Sequence, residues 1–133
     1  MIAGVLTLPE SANAIGTPKA KVPAMVVVHG SSGVLQNAWQ WAKRLNDLGV
    51  ATFVIDNFTG RGITETATDQ SRLSPSADVA GALAALGLLA THPAIDPRRI
   101  GVIGFSRGGS AAINSAFEPI RRAVIGARCC NPA

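Results

Sequence analysis

An alternation of apolar runs and helical stretches restricts this chain to one class of fold. The run Ala24–Val28, which reads Ala-Met-Val-Val-Val, is typical of a strand that is buried on both faces. Four further short strands are predicted at Gly4–Leu8, Val50–Ile55, Arg99–Ile103 and Arg122–Ile125. Helices are predicted between them at Asn37–Leu48, Ser74–Thr91 and Ser106–Phe117. This order predicts an α/β fold with a mostly parallel sheet and helices on both faces.

Local signals support the helices. In the stretch 37–48, apolar residues recur at the spacing of one helix face, and Gly49 follows where a C-terminal cap belongs. Ser74 and Pro75 are an N-cap and a first helical residue. The segment Ser11–Lys21 is polar and rich in small residues, which predicts a loop.

Length and composition fit one globular unit. The chain has 133 residues, of which 47% are apolar, and this is enough to bury a core. The longest apolar stretch, Val79–Ala90, is too short to span a bilayer, and the first residues lack the basic start of a secretory signal. We therefore expect a cytoplasmic protein without membrane association. The adjacent Cys129 and Cys130 bridge poorly with each other, which suits a reducing compartment.

The positive charge does not indicate nucleic-acid binding. Twelve basic and eight acidic residues give a net charge of +4, but the cations are scattered along the chain. Six aromatic residues, none of them tyrosine, offer few surfaces on which bases could stack. Nucleic acid is therefore excluded as a predicted partner.

Three loops follow the carboxyl ends of the predicted inner strands, and ligands of parallel sheets bind there. The third of these loops, Gly104-Phe-Ser-Arg-Gly-Gly109, has the pattern G-x-S-x-G directly between a strand and a helix. A serine at such a turn is held with its oxygen exposed, and Gly104 and Gly108 leave room for close backbone packing. The backbone N–H of Arg107, at the start of a helix, is suited to stabilise an oxyanion. Ser106 is thus a candidate nucleophile; the alternative is a serine that only caps the helix.

The first loop, His29-Gly-Ser-Ser-Gly33, offers a second oxyanion donor. Where a serine nucleophile lies at such a turn, the second N–H comes from the loop after an earlier strand. We assign this donor to Ser31, with Ser32 as the less favoured choice, and expect a structural role for His29 beside Gly30. A glycine-rich turn without a ligand is the alternative.

The second loop begins with Asp56, whose side chain is expected to cap nearby backbone N–H groups and to pair with Arg61. A ligand-binding loop is the alternative. Nucleotide sites are not indicated: there is no G-x-x-x-x-G-K-[ST] sequence, and Ser106 stands where a dinucleotide fingerprint needs its second glycine. No cluster of His, Cys or carboxylate residues has the spacing of metal ligands, so neither a metal nor a cofactor is predicted.

With these loops, the chain resembles the dienelactone hydrolase family of the α/β-hydrolases. The resemblance covers most of the chain and is most specific in Ile95–Gly109. The other segments that carry it are Gly4–Pro9, Val26–Gly33 and Val54–Phe58. It implies hydrolysis of a small carboxylic ester or lactone through an acyl-enzyme, without a metal. The family's founding enzyme has cysteine at the elbow, so Ser106 implies similarity to the serine-bearing relatives.

The remaining catalytic groups are not evident in the sequence. Such a serine needs a histidine base and an acid, which follow it in the chain order of this fold. After Ser106 the sequence contains only Glu118 and no histidine, because His29 and His92 both come earlier. The family pattern implies that the acid and the histidine lie beyond Ala133. We therefore interpret residues 1–133 as a single partial α/β-hydrolase domain, incomplete at its C-terminus; the alternative is a non-catalytic domain kept for binding. The oligomeric state stays open.

Overall fold

A mixed four-stranded sheet with helices on both faces forms the structure, a computed structural model that describes residues 3–13 and 20–129. The strands are β1 (Ala3–Thr7), β2 (Val22–Val28), β3 (Ala51–Asp56) and β4 (Ile95–Gly104). The helices are α1 (Glu10–Asn13), α2 (Gln36–Asp47), α3 (Pro75–Ala90), α4 (Arg107–Ala116) and α5 (Glu118–Cys129). Two short 3₁₀ turns occur at Thr59–Arg61 and Gln70–Arg72. The predicted α/β class is confirmed.

The sheet has the strand order β1-β3-β2-β4 and is mostly parallel, as predicted. β2 pairs in parallel with both β3 and β4, so the carboxyl ends of these three strands meet at one edge. β1 runs antiparallel to β3. Parallel pairing was predicted for strands that a single crossover helix connects. β1 and β3 are not connected in that way, because the strand β2 and the helix α2 lie between them in the sequence.

The two faces of β2 bury alternate residues against different helices. Val26 and Val28 belong to a core cluster with α3, and Val27 belongs to a second cluster with α2. Ala38 and Ala42 form the buried contact of α2, which is narrower than the predicted apolar face. None of the helices in residues 3–13 and 20–129 has the length and apolar composition of a membrane span.

The predicted strand Arg122–Ile125 is wrong, because this segment lies inside helix α5. Ile120 and Val124, four residues apart, pack against the α3 side of the core, and this spacing suits a helix. The segment Ser11–Lys21 is predicted as a loop, but its first three residues, 11–13, belong to α1. Residues 14–19 of this segment lie outside the described residues.

β4 is longer than predicted and contains an irregularity near its start. Ile95 pairs with Val22, but the next pair is Ala24 with Ile100, so residues 96–99 bulge out of the ladder. The bulge accommodates Pro97, which cannot donate to a neighbouring strand. From Ile100 onward the regular pairing with β2 carries the chain to Gly104, at the same edge where β2 and β3 end.

Candidate active site

Ser106 has the only positive φ of a non-glycine residue in the described parts of the chain, with φ 51° and ψ −116°. Its residue surface is exposed. The turn closes through a hydrogen bond of 2.8 Å from the Gly108 N–H to the carbonyl of Phe105. A strained residue at a strand-to-helix turn costs of the order of 1–3 kcal/mol and occurs mainly where function requires it.

Glycine is required on both sides of this serine because backbones approach closely there. A Cβ atom on Gly104 would lie 2.0 Å from the Gly108 carbonyl oxygen. A Cβ atom on Gly108 would lie 2.4 Å from the carbonyl oxygen of Val28 and 2.5 Å from that of His29. The elbow is therefore packed directly on the end of β2.

The two assigned oxyanion donors lie in segments that contact each other. A Cβ atom on Gly30 would be 3.5 Å from the Cβ of Ser106, so the turn Gly30–Gly33 lies against the elbow. Within residues 3–13 and 20–129, the backbone N–H groups of Ser31 and Arg107 have no hydrogen-bond acceptor. Arg107 is also the first residue of α4, where the helix dipole favours negative charge.

A cavity of about 450 Å³ opens beside Ser106. Its wall includes both donor residues and one face of α4, on which Ser110 and Asn114 are one turn apart. Its other lining residues are Gln70, Pro75, Asp78, Val79 and Ala111. The volume is in the range of small-molecule sites.

His29 uses both ring nitrogens inside the structure. Its Nε2 accepts a hydrogen bond of 3.1 Å from the buried N–H of Asn57, which places the ring proton on Nδ1. Nδ1 in turn donates to the Gly30 carbonyl at 2.8 Å. The ring is 3% exposed and meets Phe58 edge to face. His29 thus ties the end of β2 to the loop after β3.

Asp56 caps its own loop. One carboxylate oxygen accepts the backbone N–H groups of Phe58 and Thr59, at 2.8 and 2.9 Å. Partial burial would raise the pKa of this carboxyl, but the hydrogen bonds from Thr59 and Phe58 outweigh it and hold the pKa below its ordinary value. The expected pairing with Arg61 is not formed, because Arg61 donates to the Asn57 carbonyl instead, at 2.5 Å.

A buried ion pair under the elbow was not predicted from the sequence. The Nε of Arg107 donates to Asp78 of α3 at 2.5 Å, and the two side chains are 9% and 4% exposed. The second oxygen of Asp78 accepts from Asn57 Nδ2 at 3.0 Å. The sequence signal was a single acid in the mostly apolar helix α3, since a carboxylate on a buried helix face requires a partner.

The remaining candidates for base and acid do not lie at this site. His92 precedes β4, at the end opposite Ser106, and its Nδ1 accepts from the Ala94 N–H at 3.2 Å. Glu118 begins α5 and forms exposed ion pairs with Arg121 and Arg122. In the described part of the chain, the site thus holds a serine and two backbone N–H groups without acceptors, but no histidine with a free ring nitrogen.

Comparisons with known proteins bear on the family and the fold of the chain. The model of the dienelactone hydrolase family matches residues 11–127. No curated protein matches the chain. The structure of a protein named m3DLH is 32% identical, with a TM-score of 0.61. That of a dienelactone hydrolase-like promiscuous phosphotriesterase from metagenomic libraries is 26% identical, with a TM-score of 0.60. Each match covers 74% of this chain and 44% of the other chain.

A third structure, Est1E from Butyrivibrio proteoclasticus with bound ferulic acid, supports the fold alone. It is 20% identical with a TM-score of 0.68, and the match covers 92% of this chain and 45% of that one. The chain therefore spans less than half the length of the solved structures that it resembles.

Proposed function

We propose that this chain, which belongs to the dienelactone hydrolase family, supplies the nucleophile and the oxyanion hole of a serine hydrolase for small carboxylic esters or lactones. The observation that carries the proposal is the strained backbone of Ser106, between the end of β4 and the Arg107 N–H, which begins α4 and has no acceptor among the described residues. A serine that only caps a helix has an extended backbone and bonds the helix with its side chain. Ser106 makes no such side-chain bond.

The geometry supports acyl transfer. The Ser106 oxygen attacks the carbonyl carbon of the substrate and loses its proton to a base. The carbonyl oxygen becomes an oxyanion that accepts hydrogen bonds from the backbone N–H groups of Arg107 and Ser31. Collapse of this intermediate expels the alcohol and leaves an acyl-serine, which water then hydrolyses. Each oxyanion donor typically contributes about 10²–10³ in rate.

The base and its orienting acid are proposed to come from polypeptide outside these 133 residues. His29 has both ring nitrogens engaged, and His92 lies at the opposite end of β4. A serine hydrolase without its partners retains roughly 10³–10⁴ over water, from binding and the oxyanion hole. We expect the isolated chain to react with activated esters slowly.

Phosphotriesters are a second substrate class to assay. One similar structure is that of a promiscuous phosphotriesterase, and a phosphoryl oxygen can accept the same two N–H bonds as a carbonyl oxygen. Diethyl p-nitrophenyl phosphate would transfer its diethylphosphoryl group to the serine oxygen and release p-nitrophenol.

Covalent labelling of Ser106 tests the proposal. The chain is incubated with p-nitrophenyl acetate or the phosphotriester, and the adduct is located by peptide mass spectrometry together with p-nitrophenol release. We expect an adduct on the peptide that contains Ser106, and none on that peptide in Ser106→Ala. Ser76→Ala, which removes an exposed serine hydroxyl on α3, is the control and should label like the wild type. Equal labelling of wild type and Ser106→Ala would favour the non-catalytic alternative.

A further inference from the structure

We propose that Gln70 is a positioning residue that holds the two oxyanion donors, Ser31 and Arg107, at a fixed separation. This inference rests on the proposed function, because it concerns the same oxyanion hole. Gln70 lies in neither donor segment: it begins the short 3₁₀ turn Gln70–Arg72 in the loop before α3. Its side chain nevertheless bonds both donor residues.

The contact with Ser31 is reciprocal. The amide Nε2 of Gln70 donates to the Ser31 hydroxyl at 2.9 Å, and that hydroxyl is 3.3 Å from the amide oxygen. The same loop also bonds the Ser31 backbone, because the N–H of Thr66 donates to the Ser31 carbonyl at 2.7 Å. The side chain and the carbonyl of Ser31 are thus held by one segment, while its N–H has no acceptor among the residues that the structure describes.

The contact with Arg107 is made through a guanidinium that is itself fixed. Nη1 donates to the Gln70 amide oxygen at 3.0 Å, and Nη2 donates to the Leu73 carbonyl. Nε forms the buried ion pair with Asp78. A planar guanidinium that is bonded on all three nitrogens cannot rotate. Gln70 therefore connects the turn at Ser31 to a fixed group, the guanidinium of Arg107.

The connection matters because the other described hydrogen bonds of the turn Gly30–Gly33 do not reach Arg107. They join Gly33 to Gly30 at 3.1 Å, His29 to Gly30 at 2.8 Å and Thr66 to Ser31 at 2.7 Å. An oxyanion hole requires donors about 2.7–3.1 Å from the developing charge, and a misplacement of about 1 Å can cost up to 10² in rate. Loss of the Gln70 side chain would keep both backbone N–H groups, but the distance between them would no longer be fixed by this side chain. The effect should therefore appear in the chemical step and not in ground-state binding.

The test compares Gln70→Ala, Ser31→Ala and the double variant by saturation kinetics of Ser106 acylation with p-nitrophenyl acetate. Ser31→Ala keeps the backbone N–H and removes only the hydroxyl that Gln70 contacts. We expect each single variant to lower the limiting acylation rate about tenfold with a half-saturation concentration within twofold of wild type. The double variant should be no slower than either single variant, since both single variants remove the same contact between Gln70 and the Ser31 hydroxyl. Gln40→Ala, an exposed glutamine on α2, is the matched control and should change neither constant.

Three results would overturn the proposal. They are a limiting acylation rate of Gln70→Ala within twofold of wild type, a change confined to the half-saturation concentration, and additive effects on the rate in the double variant. Amide hydrogen exchange gives a second measurement that does not need activity. Gln70→Ala should accelerate exchange at least tenfold at the amides of Gly33 and Thr66, which donate to the carbonyls of Gly30 and Ser31, and unchanged exchange would also contradict the proposal. Absence of any Ser106 adduct in the wild type would instead refute the proposed function, and exchange would still decide whether Gln70 fixes the turn.

Discussion

The backbone conformation of Ser106 suits the proposed chemistry but lowers the stability of the protein. Its φ of 51° with ψ of −116° is unfavourable for any residue with a Cβ, and the penalty is of the order of 1–3 kcal/mol. Glycine has no such penalty but loses about 0.5–1 kcal/mol of backbone entropy on folding. We therefore expect Ser106→Gly to be about 1 kcal/mol more stable than Ser106→Ala.

Urea unfolding of the two variants measures this difference. Both lack the hydroxyl, so the comparison isolates the backbone. A Ser106→Gly variant no more stable than Ser106→Ala would show that the serine conformation is not strained, and the main argument for a nucleophile elbow would fail.

The site residues that the sequence indicated are those whose role depends on local backbone. Gly104, Ser106 and Gly108 form a contiguous pattern, and the close approaches of the two glycines explain why that pattern is glycine-rich. The Asp78–Arg107 pair joins residues 29 positions apart on two helices. The local sequence around either residue does not predict this pairing, because the contact exists only once α3 and α4 pack on the same face of the sheet.

At the scale of elements, substitution of two glycines of α3 by alanine is expected to have opposite effects on stability. A Cβ atom on Gly87 would meet nothing within 4 Å, whereas one on Gly81 would lie 2.2 Å from the side-chain oxygen of Asn57. Gly87→Ala should stabilise the protein by roughly 0.5–1 kcal/mol, because alanine is the better helix former. Gly81→Ala should destabilise it, because the buried Asn57 must shift and its bond to Asp78 is lost.

Chemical denaturation of the two alanine variants checks this pair. Each variant is the control for the other, since both make the same substitution in the same helix. If Gly81→Ala were as stabilising as Gly87→Ala, Asn57 would not be packed against α3 as the structure shows.

The bulge at the start of β4 predicts a pH dependence. Hydrogen bonds from the Arg98 side chain and backbone, together with Arg99, outweigh desolvation and hold the pKa of Asp96 far below its ordinary value. A carboxyl whose native pKa is depressed adds stability above its unfolded pKa of about 3.9, and this stability is lost as the pH falls through the lower native pKa. Asp96→Asn should therefore lower the melting temperature at pH 7, and the difference from wild type should shrink below about pH 4.

Thermal unfolding between pH 7 and pH 3 gives the comparison. Asp47→Asn is the control, since Asp47 forms an exposed pair with Lys43, and such pairs contribute little. A difference between wild type and Asp96→Asn that persists unchanged at pH 3 would contradict the prediction.

Helix α5 shows where reading elements from sequence fails. The apolar run Ala123–Ile125 is short and followed by Gly126, which favoured a strand. The better signals lie earlier: Glu118 and Pro119 suit a first helical turn, and Glu118 with Arg122 forms an ion pair at i,i+4. A short apolar run fits either structure, and packing of Ile120 and Val124 on the core decides in favour of the helix.

At the scale of the whole molecule, the sequence predicted the alternation of elements and the sheet edge that carries the site. It did not predict the strand order, which places β4 at one side of the sheet with β2 as its only described partner. Pairing partners depend on which helix covers which face, and periodicity within a strand does not contain that information. The position of β4 has a consequence for the chain in solution.

The free side of β4 should cause the isolated chain to associate, because an unpaired strand edge accepts another strand. Beside this edge, a groove of about 400 Å³ is lined mainly by apolar residues of β4, α3 and α4, including Val102 and Ala116, together with Ser115 and Arg121. We expect the sedimentation coefficient to rise with protein concentration. Ala116→Lys, which places a charge in the groove, should weaken association about tenfold, whereas Ala67→Lys, the same change on an exposed loop, should not. A chain that stays monomeric at all concentrations, or two variants that behave alike, would mean that β4 is not the surface through which copies meet.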